Sequence, residues 1–219
     1  MIKKQIVDKI KEGKIIVIVR GVADKDLVPL CQALYDGGIR LVELTFDMQG
    51  KIPTEQTAMN IRTLCNAFDG KMLIGAGTVV TVEQARHAVA AGAKYLISPN
   101  TDEKVISFAC ANNVVSIPGA MTPTEVVNAF NYGADFVKLF PSDTLGIPYI
   151  KAIKAPLSAI PMLAVGGVTE KNVADFLSTG VAGVGVGSSI VRKDLIERGE
   201  FSKITEIAKI YCDAIATAK

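Results

Sequence analysis

The stretch TVEQARHAVAAGAKYLISP, Thr81 to Pro99, carries one complete structural unit. Thr81 and Gln84 have the spacing of a helix-capping box, and a helix is expected over Thr81–Ala91. Gly92 can close that helix, because glycine takes the left-handed conformation that helix ends commonly need. A short run rich in strand-forming residues starts near Lys94 and stops at Ser98-Pro99. The chain's single histidine, His87, lies in the helix and far from any strand end, which suits packing or solvation better than catalysis.

The unit repeats in both directions. Strands are expected to begin near Ile15, Arg40, Met72, Lys94, Val114, Asp135, Pro161 and Ala182. Successive starts lie about 20–30 residues apart, enough for one helix per strand and too far for hairpins, so the strands should be parallel. Gly13, Gly37-Gly38, Gly70, Asn112-Asn113, Gly133 and Gly180 mark the other helix stops, and Thr122-Pro123-Thr124-Glu125 marks another start. Ile117-Pro118 and Phe140-Pro141 end strands as Ser98-Pro99 does.

The expected fold class is α/β, a (β/α)8 TIM barrel with an N-terminal helix preceding strand one. It forms a single domain over 1–219: helix 1–13, barrel core 14–190 and a C-terminal helical segment 191–219. An open doubly wound sheet is the structural alternative. Gly75-Ala76-Gly77 and Gly185-Val186-Gly187 could belong to a dinucleotide fingerprint, but Val80 and Ile190 stand where its third glycine belongs.

Composition narrows the function. At 49% hydrophobic residues, 219 residues can fill both a barrel interior and a barrel–helix layer. A net charge of +2 without a basic run argues against a nucleic-acid partner. The charged N-terminal residues are unlike a signal peptide, and no apolar run suits a membrane span. Cys31, Cys65, Cys110 and Cys212 are too scattered for a metal motif and read as free thiols in a reducing, cytoplasmic setting. No metal site of the zinc type and no cofactor is expected.

Three charges interrupt strands that should face an apolar lumen. Arg20 ends the first strand in register with Ile16 and Ile18. Glu43 shares a face with Leu41 and Thr45, and Lys138 shares one with Phe136 and Phe140. The opposite faces, Val17/Val19, Val42/Leu44 and Val137/Leu139, suit packing under outer helices. Arg20, Glu43 and Lys138 therefore point into one lumen, where charges are costly without a compensating reason. Chemistry offers one. Burial and a neighbouring cation depress an amine's pKa and make it a nucleophile. Glu43 can shuttle protons, directly or through water, and Arg20 can pair with a keto-acid carboxylate.

The glycine-rich segments after strands seven and eight, Gly166-Gly167 and Gly187-Ser188, lie where barrels often bind phosphate through backbone N–H groups. Gly75-Ala76-Gly77-Thr78 ends strand three, where it either brings N–H groups and the Thr78 hydroxyl to a ligand or serves as a plain turn.

In their order, Glu43-Leu44-Thr45, Gly75-Ala76-Gly77-Thr78-Val79, Ser98-Pro99, Ile117-Pro118-Gly119, Lys138-Leu139-Phe140-Pro141, Gly166-Gly167-Val168 and Gly187-Ser188 resemble the 2-keto-3-deoxy-6-phosphogluconate/4-hydroxy-2-oxoglutarate aldolases. The resemblance spans about Lys14 to Ile190. It implies a metal-independent class I aldolase, a homotrimer, which reversibly releases pyruvate. The other product is glyceraldehyde 3-phosphate or glyoxylate, depending on substrate. By matching positions it implies Lys138 as the Schiff-base lysine and Glu43 as the acid/base. Thr78 and Pro99, with Phe140 beside the lysine, line the pyruvate pocket. Gly166, Gly167, Gly187 and Ser188 form the phosphate end.

Two positions depart from the pattern. Asp47 stands where some members have an arginine for the pyruvate carboxylate, which passes that role to Arg20. Ala164-Val165 replaces the usual Pro-Thr, removing a hydroxyl from the substrate's reach. Two other functions fit the same residues. One is a sugar-phosphate isomerase or epimerase with Glu43 as base; the other is a silent barrel that binds a phosphorylated metabolite.

Overall fold

The computed structural model describes residues 1–218. Its chain starts with helix α1 (Lys3–Gly13) and then alternates. The first half runs β1 (Ile15–Val19), α2 (Asp24–Asp36), β2 (Leu41–Thr45), α3 (Thr54–Ala67), β3 (Leu73–Gly77), α4 (Val82–Ala90), β4 (Tyr95–Ile97) and α5 (Glu103–Ala111). The second half runs β5 (Val115–Ile117), β6 (Gly119–Ala120), α6 (Pro123–Asn131), β7 (Val137–Leu139), α7 (Ser142–Lys154), β8 (Met162–Val165), α8 (Val173–Leu177) and β9 (Gly183–Val186). Helices α9 (Lys193–Glu197) and α10 (Phe201–Thr217) finish the chain.

All strand pairs are parallel, in the order β5-β4-β3-β2-β1-β9-β8-β7-β6. The expected fifth strand is present in two pieces. Pro118 has no N–H for a ladder, and the chain changes neighbour there: β5 pairs with β4, whereas β6 pairs with β7. Backbone bonds close the seam, since the Asp135 and Phe136 N–H groups donate to the Ser116 carbonyl and Lys138 N–H donates to the Pro118 carbonyl. Nine strand segments thus occupy eight barrel positions.

The capping residues act as their spacing implied. Thr81 accepts from Gln84 N–H and Thr122 accepts from Glu125 N–H, each in a capping box. The first helix stop differs by one residue, with Lys14 rather than Gly13 in the left-handed conformation.

Side-chain parity divides the interior into two cores. Val17, Val19, Val42, Leu44, Val137 and Leu139 belong to the layer between barrel and outer helices. Ile16, Leu41, Leu73, Tyr95, Ile117 and Phe136 fill the lumen. Helix α1 joins the lumen through Ile6 and Ile10, one helical turn apart, which close its floor at the N-terminal ends of the strands. Burying each isoleucine contributes about 2 kcal/mol. Lys3 Nζ ties the same helix to Asp135 Oδ2 at 2.9 Å, beside the closing seam.

Candidate active site

Strand parity and the closed floor leave the C-terminal rim as the polar end of the lumen. Lys138 in β7 is only 7% exposed and Glu43 in β2 only 2%. Both line a cavity of ≈ 10 Å³ with Ile16, Ile18, Ile97, Ile117, Leu163, Val165 and Gly185. That is close to the room one water needs. Glu43 Oε2 is buried and has no hydrogen-bond partner among the described residues. Leaving a carboxylate oxygen so is costly, and Glu43 lines the same cavity as the amine.

The two groups titrate abnormally for the same reason. Burial pushes the Glu43 carboxyl up, opposed by the cations of Lys138 and Arg20. Burial pulls the Lys138 amine down; the Glu43 carboxylate opposes this and the Arg20 cation adds to it. Lys138 Nζ sits 4.6 Å from the centroid of the Phe140 ring, and Phe140 is 37% exposed at the lumen mouth. Burial thus works against the charged form of both groups, lowering the amine and raising the carboxyl.

The other expected residues gather on the rim. Arg20 follows β1, and its Nη2 donates to Thr78 Oγ1 at 3.2 Å. Thr78 follows β3 with φ 56°, a left-handed conformation unusual for threonine. Pro99 follows β4 and, with Phe140, lines a cleft of ≈ 460 Å³. Gly166 and Gly167 leave β8 while Gly187 and Ser188 leave β9; these strands are neighbours, so the two glycine segments share one side of the rim. A larger cleft of ≈ 980 Å³ lies at the opposite end, between α1 and the starts of β2 and β3. It contains neither Lys138 nor Glu43.

Several contributions were hidden in the sequence. Gly75 and Gly77 lie within β3, which ends at Gly77, so they are not a plain turn. A Cβ on Gly75 would fall 2.1 Å from the Tyr95 ring, whose hydroxyl donates to the Val42 carbonyl at 2.7 Å inside the lumen. A Cβ on Gly77 would fall 2.7 Å from Glu43 Oε1. That Gly75 and Gly77 share the inward parity of Leu73 was the available signal. Ser142 Oγ donates to the Leu139 carbonyl and accepts from Val165 N–H at 3.0 Å, clamping the exit of the lysine strand to β8. Asp47 has a structural role, since its carboxylate accepts from the N–H groups of Gln49, Lys51 and Ile52. Val165 lines the cavity of Lys138 and Glu43, so an apolar side chain takes the place of the hydroxyl expected from the resemblance.

Gly77→Ala should therefore displace Glu43 and lower kcat about 100-fold, the scale of an ångström-sized misplacement. Circular dichroism should show an unchanged fold. Near-native turnover would mean that Glu43 does not need its present position.

The sequence model for KDPG and KHG aldolase matches residues 6–207. The chain belongs to this family. It is an aldolase, an aldehyde-lyase in reaction class. A 2-dehydro-3-deoxy-phosphogluconate aldolase of Treponema pallidum is 36% identical over 84% of this chain and 85% of its own length. A 2-dehydro-3-deoxy-6-phosphogalactonate aldolase of Escherichia coli is 34% identical over 92% and 96%. The KDPG aldolase of Legionella pneumophila, solved with pyruvate captured as a covalent carbinolamine, superposes with a TM-score of 0.81. It is 32% identical and covers 90% of this chain and 93% of that one. The isomerase reading finds no support among these relatives. No helix among the described residues is long and apolar enough to cross a membrane.

Proposed function

We propose that this aldolase reversibly cleaves a 2-keto-3-deoxy-6-phospho sugar acid to pyruvate and glyceraldehyde 3-phosphate through an imine on Lys138. It also cleaves 4-hydroxy-2-oxoglutarate to pyruvate and glyoxylate. The observation that carries this reading is the pairing of a buried, depressed lysine with a buried, raised carboxyl on one small cavity.

The neutral Lys138 amine adds to the C2 carbonyl, and Glu43 supplies the proton that lets water leave the carbinolamine. The resulting iminium accepts the electron pair of the C3–C4 bond as the Glu43 carboxylate takes the C4 hydroxyl proton and the aldehyde departs. The enamine takes a proton at C3, and water then releases pyruvate and the free amine. Glu43 serves both directions, giving a proton in one step and taking it back in the next. Arg20 and Thr78 hold the substrate carboxylate, with Pro99 and Phe140 beside the reacting carbons. Gly166, Gly167, Gly187 and Ser188 receive the phosphate.

The enzyme works in the cytoplasm as a homotrimer. Its four free thiols support the first statement, and exposed Met121, Tyr132 and Phe140 around one cleft support a contact surface for the second.

A lactate-dehydrogenase-coupled assay for pyruvate tests the reading across phosphorylated and unphosphorylated 2-keto-3-deoxy acids and 4-hydroxy-2-oxoglutarate. Pyruvate release is expected, with kcat/KM highest for a phosphorylated acid. No pyruvate from any of them would end the proposal.

A further inference from the structure

We propose that Lys193, at the start of α9, is the cation that gives this enzyme its preference for phosphorylated substrates. The inference rests on the phosphate reading above and adds a residue to it. The glycine segments after β8 and β9 offer neutral N–H groups and one hydroxyl. They do not offer a formal charge. Asp143 makes the charge problem worse. Its Oδ1 lies 3.2 Å from where a Cβ on Gly166 would be, and its own Cβ lies 2.3 Å from one on Gly167. A phosphate entering beside that carboxylate needs a compensating cation.

Lys193 is placed to supply it. Strands β1 and β9 are neighbours, with Val17 opposite Val186. Just beyond, a Cβ on Gly187 would sit 3.8 Å from that of Ile18. The chain leaving β1 continues past this point to Arg20 and Gly21. The chain leaving β9 turns through Gly187–Val191, where Val191 N–H donates to the Gly187 carbonyl, and returns Lys193 to the end of β1. Lys193 Nζ lies 3.2 Å from the position a Cβ on Gly21 would take. Gly21 has φ 62°, so a glycine both permits this backbone and leaves space for the amine.

The neighbouring cations are committed elsewhere. Arg192 pairs with Asp194, and Arg198 pairs with Asp194 and Glu200. Among the described residues Lys193 has no ion-pair partner. Arg20 donates toward Thr78 on the keto-acid side of the rim. Lys193 therefore acts as a specificity-determining residue for the distal end of the substrate.

Lys193→Met should lower the ratio of kcat/KM for the phosphorylated acid to that for its dephosphorylated counterpart by about tenfold. This is the lower end expected for a charge-assisted contact, because the amine is solvent-accessible. The change should come through KM. Inorganic phosphate should inhibit the variant about tenfold more weakly, and Lys193→Arg should restore most of the preference. Lys171→Met, which removes another cation from the loop after β8, should keep the native ratio. If the native enzyme shows no preference for phosphate, the phosphate reading and this inference both fail. If it does and Lys193→Met retains the full ratio, or Lys171→Met loses it instead, the Lys193 assignment alone is overturned.

Discussion

Lys138→Met should lower pyruvate release by at least ~10⁴-fold, about 5 kcal/mol of transition-state stabilisation. Lys138→Arg should fare no better, because an arginine keeps the charge but cannot form the imine. An isomerase that used this residue only as a cation would retain appreciable turnover in the arginine variant. Borohydride with pyruvate should add mass to Lys138 in the native protein and to nothing in either variant. Each variant should remain folded, since the site keeps its apolar walls of Ile16, Ile117 and Leu163. A trapped adduct on another lysine, or substantial turnover by Lys138→Arg, would remove Lys138 as the nucleophile.

Glu43→Gln should lower kcat by about 10²–10⁴-fold, the usual contribution of a positioned acid/base. Imine formation should slow without losing its site, so borohydride should still label Lys138. The pH profile separates this role from mere packing. The lysine amine must be neutral to attack, so activity rises with pH through its depressed pKa. The Glu43 carboxylate raises that pKa, and its removal should move the acid limb to lower pH. The Arg20 cation lowers it, so Arg20→Met should move the limb the other way. A native-like kcat in Glu43→Gln would assign proton transfer elsewhere.

Much of this site was legible because strand parity is a strict geometric rule. Once Val17 and Val19 are assigned to the outer layer, Ile16, Ile18 and Arg20 have only the lumen side left; β2 and β7 repeat the argument for Glu43 and Lys138. What escaped depends on contacts across strands. Nothing within Gly75-Ala76-Gly77 shows that one glycine makes room for Tyr95 from β4 and the other for Glu43 from β2. The break at Pro118 was hidden for a similar reason. A proline after Ile117 marks the end of a ladder, but the chain's change of neighbour is set by β7 closing the barrel. Lys193 lies in a segment whose periodicity reports only a helix, and its reach to Gly21 follows from the turn before α9.

The isoleucine floor supplied by α1 also sets an order of events. Ile6 and Ile10 close the lumen at the N-terminal ends of the strands, and Lys138 lies inside it, below the rim proposed above to take the phosphate. A molecule longer than the lumen must enter with its keto-acid end leading. Under the proposed reaction, breaking the carbon–carbon bond would leave the aldehyde half nearest the exit and the other half tethered to Lys138. The aldehyde is free to go first, and pyruvate queues behind it until water cuts the tether. Run backwards, the same corridor would admit pyruvate before its partner, so the synthetic direction should be an ordered reaction with pyruvate first, an order set by the depth of the site.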